Sequence, residues 1–380
     1  MRLPRRTPPR GGFALPAAIF SLVLVSALVA GALFVATEEL RTGRGDAADQ
    51  RALTAAEWAL DRAILTWDFR RNVTQRVGRT DTLLTEYRAP NDTLVVVATR
   101  VQRRLVWMTA TATRGGDGRG IPARHTVAAS LRLVDTPFPG AAALTSGGAV
   151  LVDGGVVDGR AANPPGEPTA SCTESAPAAG VRVPDVSRVT CPSCAESSAS
   201  GVFGLPPIDS SGVADSAFAV LVDATITSLV RRASIDLPGG TMTPRPTSAN
   251  ASCDLADPLN WGDPGGTSPC SDWLPVVHVR GSVVLGAESV GQGILVVDGS
   301  VRVEGGARFV GVVVARGDVT VSGLGAEIIG AVLAAPVSAG AVSRITDGGS
   351  IRFDPCAVQR ASMLTARLVR TPERWWVELR

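Results

Sequence analysis

Six cysteines are the side chains best placed to do chemistry in this chain: Cys172, Cys191, Cys194, Cys253, Cys270 and Cys356. Cys191-Pro192-Ser193-Cys194 has the spacing of half a zinc site, for which Cys253 and Cys270 would have to supply the other half. Sixteen residues separate those two, whereas a zinc ribbon repeats a short spacing. Disulfides are therefore the leading expectation for all six, ahead of free thiols and of zinc. A bridge closing the Cys253 to Cys270 loop would contribute about 3 kcal/mol through the entropy it removes from the unfolded chain.

Other chemistry finds little support. A Ser/His/Asp or Cys/His triad needs a histidine at a hydrogen-bonded focus, and the chain has only His125 and His278, in separate strand-like segments. Asp254, Asp257, Asp263 and Asp272 are close in sequence, yet they lack the alternate spacing of a calcium loop and mostly read as turn-forming aspartates. A phosphate-binding glycine loop is unsupported, because the chain's regularly spaced glycines precede no helix. No catalytic residue, cofactor site or metal site is assigned, and no small-molecule substrate is expected.

The elements that carry these residues begin with the amino terminus. Arg2, Arg5, Arg6 and Arg10 stand in a short leader ending at Gly11-Gly12, and an uncharged apolar run follows from Phe13 to Ala36. At about 1.5 Å per residue that run reaches about 36 Å as a helix, enough to cross a hydrocarbon core of about 30 Å. Arginines before it and Glu38 and Glu39 after it put the amino terminus in the cytoplasm by the positive-inside rule, so the remainder lies across the membrane, where disulfides persist. Ala30-Gly31-Ala32 offers the alternative of a cleaved secretory signal.

Arg10-Gly11-Gly12-Phe13-Ala14-Leu15 resembles the leader junction of type IV prepilins, where a membrane peptidase cuts after glycine and exposes a phenylalanine. Major pilins carry a glutamate five residues into the mature chain, and Ala17 stands there in this one, just after Pro16. Together with Thr37-Glu38-Glu39-Leu40-Arg41 and Ala55-Ala56-Glu57-Trp58-Ala59-Leu60, the first 70 residues or so resemble PilX-type pilus-assembly proteins. The resemblance implies a cut between Gly12 and Phe13, and a single-pass span from Phe13 to Ala36 held in the inner membrane. It also implies a periplasmic carboxy-terminal part, with incorporation into an extracellular pilus. Its partners would be the membrane, the prepilin peptidase and other pilin-like subunits.

Composition sets the remaining bounds. With 380 residues, two or more units are expected beyond the membrane. The net charge is +2, and no basic block or aromatic-interleaved patch stands out, so nucleic acid is not an expected partner.

Past the membrane, Leu53, Ala56, Leu60, Ile64 and Trp67 mark one helical face between Asp46 and Phe69. Gly43 and Gly45 precede it, each costing a helix about 1 kcal/mol relative to alanine, so a bend or melted turn is expected there. Strands are expected over Thr93–Thr99, Leu105–Thr111 and His125–Leu133, giving a helix laid on a small antiparallel sheet. Residues 161–276 read as a loop-rich insertion, with one helix from Val213 to Arg232 capped by Ser210-Ser211.

From Val277 to Gly323 the pattern sharpens. Glycine recurs at 293, 299, 305, 311, 317 and 323, a period of six, and every charged residue of the stretch falls on an even position. A run of antiparallel hairpins with two-residue turns would switch the buried face at each turn. Constant parity through corners fits a parallel β-helix, odd side chains inward and even ones wet, which makes His278 a surface residue. Gly147–Gly154 resembles Gly293–Gly299 and adds a first coil. Asp298, Arg302, Glu304, Arg316 and Asp318 imitate the acidic and basic face of polysaccharide-cleaving β-helix enzymes, on a very short stack.

The expected fold class is thus α+β, a long amino-terminal helix on a small antiparallel sheet followed by a short parallel β-helix. Its units are a leader (1–12), a span (13–36), an amphipathic extension (37–70), an antiparallel module (71–136), a β-helix with its insertion (137–358) and a final short helix and tail (359–380) in which Trp375-Trp376 cover a core end. A non-enzymatic minor pilin is the leading expectation. The alternatives are a membrane-anchored, bactofilin-like scaffold that polymerises end to end and an anchored carbohydrate-active enzyme.

Overall fold

A computed structural model describes residues 14–89, 92–114, 123–135, 138, 142–160, 177–195, 201–210, 215–336, 340–371 and 376–379. Gly12, Phe13, Cys172, Ser211 and Trp375 lie outside them.

The chain opens with one helix of 52 residues, α1 (Ala14–Leu65), then a short turn of helix, α2 (Arg71–Thr74). No bend interrupts α1 at Gly43 or Gly45. Two glycines cost about 2 kcal/mol together, whereas breaking and renucleating a helix between two long helical segments costs more. Four strands follow: β1 (Thr80–Ala89), β2 (Asp92–Gln102), β3 (Leu105–Arg114) and β4 (Ala123–Val134). They pair antiparallel in sequence order, and β1 adds an edge strand to the three expected from the sequence.

Alternation decides which side of this sheet is dry. Leu94, Val96 and Ala98 of β2, Val106, Met108 and Ala110 of β3, and Val127, Ala129, Leu131 and Leu133 of β4 are all buried. They pack against Ala56, Ala59, Leu60 and Ala63 of α1, with Leu53, Ile64 and Trp67 at the margin. Small alanines let the helix lie close to the sheet.

Three short strands come next: β5 (Ala142–Ser146), β6 (Ala149–Asp153) and β7 (Val156–Asp158). The expected insertion is more ordered than its composition suggests. It holds β8 (Ala179–Arg182), β9 (Val189–Thr190), β10 (Gly201–Phe203), β11 (Ile208–Asp209), α3 (Asp215–Val230), β12 (Ile235–Met242) and a hairpin, β13 (Ser248–Ala249) with β14 (Ser252–Cys253). Except for that hairpin, its strands join the larger sheet. Proline and serine content hid them, and all but β12, which has eight residues, are only two to four residues long.

The remaining strands are β15 (Val276–Leu285), β16 (Val290–Val297), β17 (Val301–Val303), β18 (Arg308–Ala315), β19 (Val319–Ser322), β20 (Glu327–Ala334), β21 (Val342–Thr346) and β22 (Ser350–Phe353). Their pairs are parallel, and the sheet curls on itself: the first half of β15 lies beside β16 and its second half beside β17. Val276 pairs with Ile294, Val283 with Val301, Val290 with Arg308 and Val301 with Val319, each an offset of 18, three of the six-residue glycine periods. Between β18 and β20 the offset becomes 19, Arg308 against Glu327, so the buried set switches from odd positions such as Val313 and Ala315 to even ones such as Val332 and Ala334.

Inside the curl, the odd residues Val277, Val279, Leu285, Leu295, Val297 and Phe309 form the core. The outward residues differ from expectation. Val276, Ile294, Val296, Val312 and Val314 are even-numbered yet buried, because Phe218, Val222, Ile226 and Leu229 of α3 cover them together with Ala361 and Leu364 of the last helix, α4 (Pro355–Thr365). α4 covers the start of the expected final helix, and past Thr365 the chain returns to the first sheet as β23 (Arg367–Arg370) and β24 (Trp376–Leu379), both antiparallel to β4.

Candidate functional site

The feature that most departs from a self-contained fold is the free half of α1. Leu15 is 72% exposed, Phe20 69%, Leu22 70% and Phe34 67%, and the helix is first buried at Ala52. Residues 14–51 thus run for about 57 Å at helical rise before the first buried position. The first 24 of these carry no charge, and Glu38, Glu39, Arg41, Arg44, Asp46, Asp49 and Arg51 follow on the remaining turns. An uncovered apolar surface of this length costs free energy in water and is stable in hydrocarbon.

The packed half holds the rod rigidly to the sheet. Arg62 pairs with Glu86 on β1 at 2.7 Å, Asp61 with Arg370 on β23, and Asp49 approaches His125 on β4 at 3.6 Å. These exposed pairs orient the helix more than they stabilise it. Asn72 is buried and makes the tighter link: its side-chain nitrogen donates to the carbonyls of Met363 and Ala366 at 2.9 and 3.0 Å, and its oxygen accepts from Trp67 at 2.7 Å. α2 thereby clamps the end of α4, tying the antiparallel sheet to the parallel one. A cleft of about 310 Å³ lies beside this clamp, lined by Arg62, Thr66, Trp67, Arg71, Leu83 and Leu84. Nothing in the sequence pattern announced it, since it forms between α1 and the unexpected β1. Its arginines face Glu86 and Asp81, the latter at 3.3 Å from Arg71.

The polar residues singled out from sequence fall into structural roles. His278 is 6% exposed, not a surface residue: Nδ1 lies 3.1 Å from Asp236 Oδ1 and Nε2 3.0 Å from Asp298 Oδ2. Arg316 bridges Asp298 at 2.9 Å and Asp223 of α3 at 2.7 Å. Histidine and arginine thus staple β12, β15, the end of β16 and the covering helix. His125 sits in the other sheet, so the two histidines do not converge. Asp318 accepts from Ser300 at 2.7 Å rather than facing a second carboxylate across a groove.

Asp254, Asp257 and Asp263 accept backbone hydrogen bonds from residues two to five ahead, the geometry of turns. Partial burial pushes the Asp263 carboxyl up, but hydrogen bonds from Ser268, Gly265 and Thr267 outweigh it and hold the group below the usual carboxylate range. Among the described residues no three His, Cys, Asp or Glu side chains are grouped to hold a metal ion. Cys191 is bonded to Cys194 and Cys253 to Cys270, which rules out the four-thiolate arrangement, and Cys356 is also disulfide-bonded.

No protein-family model matches this chain, and no curated protein does. Among solved structures, the crystal structure of the competence-associated pilin ComZ from Thermus thermophilus aligns over 88% of this chain and 97% of its own, at 12% identity and a TM-score of 0.23.

Proposed function

We propose that this chain is a membrane-anchored, non-enzymatic subunit of a type IV pilus-like assembly, of the minor or PilX-type kind. The observation that carries the reading is α1: one unbroken helix whose leading half is apolar and uncovered, and whose trailing half fills the inner face of an antiparallel sheet. Such a helix has two environments, lipid or neighbouring helices for residues 14–36 and its own sheet from Ala52 on. The Gly12-Phe13 junction supports release of the leader with the span retained.

In this reading the span enters the inner membrane with the leader in the cytoplasm, and the two sheets stand on the periplasmic side. After the peptidase cuts between Gly12 and Phe13, the helix packs laterally among other pilin-like helices. Ala17 supplies no carboxylate to a neighbour's terminal amine, which favours an assembly or initiating role over that of a bulk subunit. We read the curled parallel sheet as a short β-helix, three hexads to a coil, carried as the displayed part. Its end strand β12 carries Pro238, which lacks a ladder donor, and this weighs against end-to-end polymerisation as a scaffold.

The amino terminus tests the proposal. Mass spectrometry of the membrane-fraction protein should find it at Phe13; Met1, or a start after Ala32, would overturn the pilin reading.

A further inference from the structure

Cys191-Pro192-Ser193-Cys194 is the one reactive motif that an assembly role leaves unused. Its disulfide caps the end of the parallel sheet, where Cys191 directly follows β9 and residues Pro192–Ala195 form a short 3₁₀ turn. The turn is docked on the edge of β6 by a hydrogen bond from the Gly154 N–H to Ser193 Oγ, 2.9 Å long. Cys194 is exposed and Cys191 half-buried. Gly201 of β10 leaves the space that Cys194 Sγ occupies; a Cβ there would stand 3.1 Å from the sulfur.

Cys253–Cys270 is the opposite case. Cys270 is fully buried, the Asn260 side-chain nitrogen donates to both sulfurs at 3.3 Å, and Trp261, fully buried, packs in the same core cluster. Its partners are 17 positions apart in sequence, against 3 for Cys191 and Cys194. Thiol exchange requires a thiolate to reach a sulfur along the S–S axis, which the exposed Cys194 allows and the enclosed Cys270 does not.

We propose that Cys191–Cys194 is a thiol-exchange site that accepts electrons from an exposed dithiol, and that Cys253–Cys270 is a fixed crosslink. The partner's thiolate attacks Cys194 Sγ, forming a partner–Cys194 disulfide and breaking the bond to Cys191, whose sulfur leaves with the electron pair and takes up a proton. The partner's second thiol, after losing its proton, attacks the partner's own first sulfur in that mixed disulfide and releases Cys194 as a thiolate, which is then protonated. The partner dithiol is oxidised by two electrons to a disulfide, and Cys191 and Cys194 are reduced to thiols. A monothiol stops at the first step and remains covalently attached to Cys194. This site is independent of how the amino terminus is processed.

The test uses the full chain in detergent without denaturant, treated separately with dithiothreitol and with reduced glutathione, quenched with acid, alkylated and mapped by peptide mass spectrometry. Cys191 and Cys194 should be labelled at least tenfold faster than Cys253 and Cys270, with the glutathione adduct on Cys194. Equal rates, earlier opening of Cys253–Cys270, or an adduct confined to Cys191 would each overturn the proposal. Far-ultraviolet circular dichroism of the selectively reduced chain should stay unchanged. A loss of strand signal in step with labelling would also overturn it, since the sulfur would then be reached only by unfolding.

Discussion

Single positions show how backbone geometry and hydrogen bonding, more than charge, fix this molecule. Gly293, Gly311 and Gly330 stack in register on β16, β18 and β20, and Gly311 has φ +140°. A Cβ at Gly311 would run into the carbonyl oxygen of Gly293, so Gly311→Ala should cost about 2–3 kcal/mol in urea unfolding. Gly240 has nearly the same φ, +138°, and open space around it, so Gly240→Ala should cost only about 1 kcal/mol and separates strain from collision. The period of six made Gly293 and Gly311 legible in the sequence, whereas Gly330 and Gly240 fall outside it. Asp263 belongs to the same scale. Because its folded carboxyl titrates below the unfolded value of about 4, its contribution is complete above that value and fades as pH falls through the folded one. Asp263→Ala should therefore lower stability by about 1–2 kcal/mol at neutral pH, and the difference from wild type should vanish in acid denaturation series. The burial of His278 was not legible, because parity reports which face a side chain takes and not what lies over that face.

Among the elements, α1 and α3 behave differently. The heptad-like spacing of Leu53, Ala56, Leu60 and Ile64 marks the sheet-facing stripe of α1, and the apolar run marks its free half. The glycines between them do not break it. A Cβ at Gly43 meets nothing within 4 Å, so Gly43→Ala should gain about 1 kcal/mol of helix stability, seen as slower amide exchange over the turns around it in detergent. No change in exchange would show that the segment between membrane and sheet is already as rigid as its flanks. A helix from Val213 to Arg232 was expected, and α3 packs its Phe218, Val222, Ile226 and Leu229 on Val276, Ile294, Val296 and Val312. Strands such as β8, β10 and β11 were not legible, being two to four residues long and stabilised only by neighbours from distant parts of the chain.

At the scale of the whole molecule, the two sheets are joined by the return of the chain through α4 into β23 and β24. Asn72 is the buried polar joint in that return, serving two carbonyls and one indole. Asn72→Ala should cost about 2–3 kcal/mol, because both carbonyls lose a donor in a dry place, and calorimetry should show the single unfolding transition widening or dividing. A unit that unfolds as sharply as before would show that the apolar contacts of Met363 and Leu364 suffice. The sequence by itself determined the apolar rod, the helix stripe, the antiparallel core strands and the six-residue glycine period of the parallel sheet, since each is a local period that burial imposes on successive side chains. Only the tertiary structure decided that α4 joins α3 over the outer face of that sheet, that His278 is enclosed by two aspartates, and that the last strands rejoin the first sheet. Those outcomes depend on contacts between residues far apart in the chain, and no local period records which distant surface will cover which.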